Sequence, residues 1–463
     1  MTGMFVLPRI GYCLRLWRIA ISVLFIFQTF CNTGLAVAQQ SPSPSFSKIL
    51  FSRVTTLKKT WEKNFTSPQA GHAIAHFQLS SDTDWEDPKN PAALLEVAVD
   101  ERLASHLVTF MGRANGGHVY AVHLGFLSAG QHELALQRAD SSHAAIKLHR
   151  MRLDIYYANH PFYPVLAHAP IIFGRHPDRR YSDVPLLLAY EKSNLNSKQE
   201  LKYTVFFSNE NGGTPPPGLL HLWGRYTDIE WAYRVELEAN GKRRRSSFQG
   251  KAHQEFPYFG SFENAQPALQ VATLNNMFSD SLTTKLRFAL PPFFAIPPDG
   301  LRESVMLEAP WTWRVSAKEA RREQRLNPQP ADSTRIADLR HYLYIQFIAE
   351  PESLGVKAGG YFIAKYKNDP NEYTSNLGSS RLSIRSDKKI VRQTAVPLPA
   401  DLTSGDLQRL EFVADANGGS LVLKNVPRLF ALDENDVPRE WKPTWRGSIR
   451  LASGQRAVVF ENK

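Results

Sequence analysis

The residues best suited to chemistry lie in and around GRYTDIEWAYRVEL, 224–237. Asp228 and Glu230 are two apart, so on a strand their side chains share a face with Cα atoms about 7 Å apart. Two carboxylates at that spacing can approach one hard cation. They can equally stand as independent solvated acids, and Arg234, two steps on from Glu230 along the same face, suits that arrangement through a salt bridge to Glu230. The surroundings add polar candidates. HLW, 221–223, supplies His221 and Trp223; KAHQEFPYFG supplies His253, Glu255, Tyr258 and Phe259; LNNMFSD supplies Asn275, Asn276 and Asp280. HAPIIFGR ends in Arg175, with Asp183 beyond it. Side chains gathered on loops of a β scaffold are the usual make-up of a site. Oxygen donors with one imidazole favour Ca2+, Mg2+ or Mn2+ over zinc. The candidate cation ligands are Asp228, Glu230 and His253. The candidate ligand-binding residues are Arg175, His221, Trp223, Tyr226, Tyr258, Asn275 and Asn276.

Several other chemistries lack their signatures. The sequence has no G-x-S-x-G elbow, no H-E-x-x-H and no Gly-rich phosphate loop. His72 and His76 have the spacing of a zinc-binding helix, but no acidic partner stands beside them, so the pair is a weak signal. Eleven of the fourteen histidines fall between 72 and 176, which reads as scattered strand and loop positions.

The elements that must hold these residues are mostly strands. LLEVAVD, HLVTFMG, HVYAVHLGFL, HELALQR and KLHRMRLDIYY, within 70–158, are short apolar or alternating runs parted by turn signals, as in a β-sandwich. A second β-rich block, 159–314, has expected strands at 184–191, 201–208, 219–223, 229–238 and 284–290, and an expected helix at 263–278. VSAKEARREQRL, 315–326, carries a capping box, Ser316 with Glu319, and predicts a helical connector over 315–337, broken by NPQPAD. Strand patterns return over 338–463 as a C-terminal sandwich. Upstream, 39–69 reads as a linker, with Phe46, Leu50, Val54, Leu57 and Trp61 spaced as one stripe of a basic amphipathic helix over 46–63. The expected class is all-β, two or three β-sandwich domains with a few short helices.

The N-terminus bears on location. Arg9, Arg15 and Arg18 precede the apolar run IAISVLFIF, and GLAVAQQ offers an A-x-A cleavage site after Ala38. Residues 1–38 therefore read as a signal peptide, and the protein as periplasmic or secreted. Phe30 before Cys31 does not suit a lipid anchor. Cys13 and Cys31, the two cysteines, both lie in the removed segment, so the mature chain has no thiol for a disulfide, a nucleophile or a metal. The formal net charge of +11 favours an anionic envelope surface, acidic glycan or lipid headgroup. No nucleic-acid reader motif is present, and no later segment is long and apolar enough to span a bilayer.

The heptapeptide G-R-Y-T-D-I-E, 224–230, resembles G-H-R-H-D-W-E of the NPP1-type necrosis-inducing secreted proteins, with Gly224, Asp228 and Glu230 at matching positions. The strand that follows, the turn ANG and His253 are also similar to that family and to Vps62-like proteins. The likeness spans roughly 165–290. It implies a β-sandwich on which Asp228, Glu230 and His253 hold a divalent cation, and an action through membrane glycolipid rather than catalysis. Arg225 and Thr227 stand where the family has histidines, Ile229 replaces its tryptophan, and its paired cysteines are absent, which puts cytolytic activity in doubt.

Three functions remain open on the sequence. One is an exported protein that binds a glycan or glycolipid through exposed aromatics such as Trp223, Tyr226, Tyr258 and Phe259, with a bridging cation. Another is a hydrolase or lyase on envelope or extracellular polysaccharide, with Asp228 or Glu230 as acid or metal ligand and His253 as base. The third is a structural envelope protein. Whether the chain is an enzyme stays undecided, although two carboxylates on one strand favour binding, because glycosidase pairs flank the substrate from different elements. Intact-mass measurement of extracytoplasmic material is expected to place the mature N-terminus near Gln39; a soluble cytosolic chain of full mass would exclude export.

Overall fold

Glycine and proline punctuation, more than hydrophobic period, decides where the elements of this chain begin and end. The structure, a computed structural model, describes residues 42–462 apart from 140–143, 176–180, 196–197, 299, 328–334, 354, 400, 416–419 and 442–444. The expected signal peptide and nearly all of NPQPAD lie outside the described residues. The chain is all-β, with antiparallel sheets and a few short helices.

The first block is a sandwich. One sheet orders the strands Phe46–Phe51, Ile146–Tyr157, Gly71–Ser81 and His118–Leu127; the facing sheet orders Thr60–Ser67, Gly130–Arg138, Leu94–Val99 and Arg102–Val108. Their inner faces close one core around Phe77, Leu95, Leu136 and Met151. The expected helix at 46–63 is not there. Phe46–Phe51 and Thr60–Ser67 are strands, rich in β-branched and aromatic residues. A register shift between Ile49 and Phe51 lets Phe46, Leu50 and Phe51 all reach the core and so imitates a helical step.

The central block joins a six-stranded sheet to a smaller one. In the larger, Glu255–Pro257, Arg243–Gln249, Ile229–Leu237, Lys198–Phe207, Pro185–Leu195 and Phe294–Ala295 lie side by side. Two local expectations fail here. Residues 219–223 belong to a helix, Pro216–Trp223, because prolines occupy its first turn and Gly224 stops it in the left-handed conformation, φ +60°. Residues 263–278 are not helical but contain the strand Gln266–Val271 and parts of two short neighbours. Gln266–Val271 pairs in parallel with Ile171–Phe173 and is buried throughout, so the alternation that marks a half-exposed strand is missing.

The helix expected from Ser316 starts earlier, at Trp311 after Pro310, and ends at Arg322. Ser316 and Glu319 are therefore no capping box. Both are fully buried, and the Ser316 hydroxyl donates to the Ser208 carbonyl at 2.9 Å. Trp313 on the same inward stripe packs edge-on against Tyr344 and Phe430, with centroids at 4.8 and 5.5 Å.

Tyr344 and Phe430 belong to the last block, whose two sheets enclose their own core around Ile345, Phe362, Leu410, Phe412 and Leu423. One of its strands, Ile390–Pro397, was not anticipated; its alternation is blurred because Gln393 to Val396 are all buried. The outer face, with Tyr342, Tyr344, Ala395, Phe430 and Leu432, joins the core of the central block instead of facing water. We propose that 338–463 is nonetheless a domain that folds alone. As a separate fragment it is expected to melt cooperatively in calorimetry while binding a hydrophobic dye through that uncovered face. Replacing Tyr344 and Phe430 by serine should reduce the dye signal; an unfolded fragment would mean that the two cores form only together.

Candidate functional site

The expected strand opens at Ile229, and a bulge reshapes it. Trp231 pairs with Thr204 and Tyr233 with Tyr203, so Ala232 is an extra residue. Cross-strand partners share a face. Glu230 opposite Val205 therefore lies on the face of Tyr233 and Val235, whereas Ile229 and Trp231 turn to the other. A regular strand would put Ile229, Trp231, Tyr233, Val235 and Leu237 on one face, and the bulge breaks that face in the middle. Arg234 is no longer a neighbour of Glu230 along that face. Its ion-pair partners are Glu255 at 3.3 Å and Glu200 at 3.9 Å.

Asp228 is not a solvated acid. It is 2 % exposed; its Oδ1 accepts the Ile229 amide at 2.9 Å and its Oδ2 the Asn276 amide nitrogen at 2.9 Å. Burial, then the charges of Glu230 and Glu210, push its carboxyl well above the usual range against the pull of Arg225. Glu210, in the polar loop 208–218, is likewise buried and raised by that burial, and its Oε1 accepts the Thr214 amide at 2.6 Å. The loop can close on this carboxylate only with glycine at 213, φ +106°, where a Cβ would stand 2.5 Å from Glu210 Oε1.

The cluster reaches the surface through Glu230 and His253, whose side chains are 12 % and 57 % exposed and 3.7 Å apart. Gln249 lies between them, donating to Glu230 Oε2 at 2.8 Å and standing 2.8 Å from His253 Nδ1. Glu230 raises the imidazole above its ordinary value. Three non-glycine residues around the cluster hold left-handed backbones: Ala252 and His253 at φ +58° and Asn276 at +53°. Such strain persists only where the surroundings enforce it, and it gathers at functional sites.

The other candidates separate into different places. Trp223 is half-buried beneath two arginines, with the Arg392 guanidinium 4.5 Å and that of Arg225 5.7 Å from its ring. His221 is fully buried, with Nδ1 3.0 Å from the Ala395 carbonyl oxygen, so it belongs to the seam with the last block. Tyr226 and Tyr258, expected as exposed aromatics, are both buried, and the Tyr258 hydroxyl is held by the Ala268 carbonyl at 3.0 Å. Phe259 is 85 % exposed. Asn275 accepts from the Thr273 hydroxyl in a turn. Arg175 pairs with Asp183 at 3.1 Å in a second buried acidic group completed by Glu319 and Glu323. Reasoning from the sequence missed Glu210, Gln249 and Arg225, together with Glu303, which accepts from Arg225 Nε at 3.0 Å. Only Glu210 left a trace, as the acid within a Gly- and Pro-rich loop.

The resemblance implies a divalent cation at this site. Among the described residues no group of three or more His, Cys, Asp or Glu side chains is arranged to hold a metal ion. The donor chemistry nevertheless suits a hard cation. Glu230 adds to the burial that raises the proton affinity of Asp228 and Glu210, and Asn276 Oδ1 and Gln249 Oε1 are buried with no hydrogen-bond partner. A cation requires these side chains to turn inward.

No family model and no curated protein matches the chain. Solved structures do. The CBM36-1 domain of a multidomain xylanase from the hindgut metagenome of Trinervitermes trinervoides matches at 9 % identity and TM-score 0.19, over 24 % of this chain and 100 % of that one. Necrosis-inducing proteins of the kind noted above are also among the similar structures. NLPPya in complex with mannosamine matches at 10 % identity and TM-score 0.21, over 32 % and 77 % of the two chains. Necrosis and Ethylene inducing Protein 2, from the causal agent of cocoa's witches' broom disease, matches at 12 % identity and TM-score 0.21, over 34 % and 80 %.

Two sets of buried groups set the pH response of stability. Burial lowers His72, His118, His168 and His221 to about 4, so the stability they allow is full above pH 6.5 and is lost as pH falls towards 4. Burial raises Asp183 to about 8 and Glu319 to about 7; their contribution is full near pH 4 and is lost as pH rises to 7–8. Four protons outweigh two on the acid side, so these groups place the maximum near pH 6.5. Each contributes a slope of about 1.4 kcal/mol per pH unit. Urea midpoints from pH 4 to 9 are expected to show both limbs, and Asp183→Asn to flatten the alkaline one by about one proton.

Proposed function

We propose that this is an exported protein that binds a glycan at the Glu230–His253 patch, with a divalent cation drawn in by Asp228, Glu230, Glu210 and His253. The carrying observation is the buried carboxylate cluster itself, which reaches solvent through Glu230 and His253. Uncompensated acids in a protein interior are costly, and a shared cation relieves them. The strand and turn after His253 expose Phe256 and Phe259, whose rings offer faces for sugar CH groups. The cation would offer a charge to bridge hydroxyls, while Gln249 and Asn276 orient the carboxylates beneath it. The net positive charge suits an anionic envelope or glycolipid surface around the glycan.

The test is a thermal-shift series with Ca2+, Mg2+ and Mn2+ on chelator-treated protein, followed by a glycan array with and without the effective cation. A cation at a hundredfold excess over its dissociation constant should stabilise by about 2.7 kcal/mol. Asp228→Asn with Glu230→Gln should abolish that gain and the array signal. His253→Ala should weaken the response. In the wild type the response should fade towards acid pH, because a protonated imidazole cannot coordinate. Absence of any shift and of any array signal in a folded sample would reject the reading and leave a structural envelope role.

A further inference from the structure

We propose that Arg392 and Arg302, with Trp223 orienting the former, form a subsite for the carboxylate of an acidic sugar beside the Glu230–His253 patch, so that the ligand is a hexuronate-containing glycan. This rests on the glycan reading and deepens it. Arg225 and Arg392 meet over Trp223, Arg302 acts electrostatically on Arg392, and one of the three is committed: Arg225 is buried and paired with Glu303 at 3.0 Å. The other two are not. Among the described residues neither Arg302 nor Arg392 forms an ion pair, and the Arg302 side chain makes one hydrogen bond, from Nη1 to the Ile229 carbonyl at 3.3 Å.

Both side chains are only half-buried, so their cationic heads can be reached. Arg302 acts electrostatically on both Arg392 and His253, and its hydrogen bond to the Ile229 carbonyl sets it beside the patch. Burial and the neighbouring Arg302 and Arg225 all disfavour the charge on Arg392, and the acid that opposes them, Glu303, is the one already paired with Arg225. The result is an excess of positive charge next to the acidic cluster, held in partial burial. Such an excess is relieved by an oxyanion from outside. The Arg392 guanidinium sits 4.5 Å over the Trp223 ring, which restricts it, and a guanidinium offers a flat N–H fork that a carboxylate matches in two parallel hydrogen bonds. A sulfate ester shares this chemistry but is tetrahedral. Arg302 also donates to the carbonyl beside Glu230, so a sugar seated at Glu230 and His253 brings its neighbour's substituent to the arginines.

Calorimetric titration with trigalacturonate, a neutral galactose trisaccharide and a sulfated galactose trisaccharide distinguishes the outcomes. The uronate is expected to bind about tenfold or more tightly than the neutral sugar. Arg392→Gln and Arg302→Gln should each remove that margin while leaving the neutral affinity and the melting temperature at wild-type values. Arg392→Lys should restore part of it. Equal affinity for uronate and neutral sugar, or a margin that survives both variants, overturns the subsite alone. A margin confined to the sulfated sugar overturns the hexuronate assignment. No binding of any trisaccharide, with or without calcium, overturns the glycan reading and the subsite together.

Discussion

The hydrogen-bonded seam between 221–224 and 393–395 is the contact on which the site depends. The Gln393 side chain donates to the Gly224 carbonyl at 2.6 Å, the Thr394 hydroxyl donates to the His221 carbonyl at 2.7 Å, and His221 Nδ1 faces the Ala395 carbonyl oxygen at 3.0 Å. The strand can come this close because residue 224 has no side chain: a Cβ there would meet Gln393 Cγ at 2.6 Å and the Thr394 nitrogen at 2.7 Å. The same glycine ends a helix in the left-handed region and starts the run to Asp228. One residue therefore fixes the helix end, the approach of the last block, and the line along which Trp223, Arg225 and Asp228 follow.

Around that seam the central block buries acids in two groups, one at Asp228 and one at Asp183. Thr227 joins them mechanically, with its hydroxyl 2.6 Å from that of Ser316 on the Trp311–Arg322 helix. The helix carries Glu319 into the second group and Trp313 into the core shared with the last block. Apolar packing at one end of this buried stripe thus holds unfavourable charge in place at the other. Core burial compensates for the desolvated carboxylates, which is a common price of a preformed polar site.

Much of this was legible from residues. Strand patterns in the first and last blocks were written plainly by alternation and turn chemistry. The proximity of His253 to Glu230 was also legible. What was hidden has identifiable causes. Burial on both faces erased alternation in Gln266–Val271 and Ile390–Pro397, and the second of these carries Arg392. Bulges mimicked a helical period at 46–51 and inverted the environment of the acid pair. The basic partners came from distant sequence, Arg302 and Arg392, and no local pattern announces a contact across more than seventy residues.

The extra residue at Ala232 has a consequence for how such a site arises. Pairing along a strand has a period of two, so one inserted amino acid exchanges inside for outside on everything before it. The bulge absorbs that exchange: with Ala232 removed, Glu230 would still share a face with Tyr233 and Val235, whereas a strand keeping Ala232 in regular register would put Glu230 with Arg234 and Glu236 and Ile229 with Tyr233. In genetic terms the acidic centre depends on the bulge and not on the codon for Ala232. An in-frame deletion of that codon would straighten the strand and leave Glu230 on its present face.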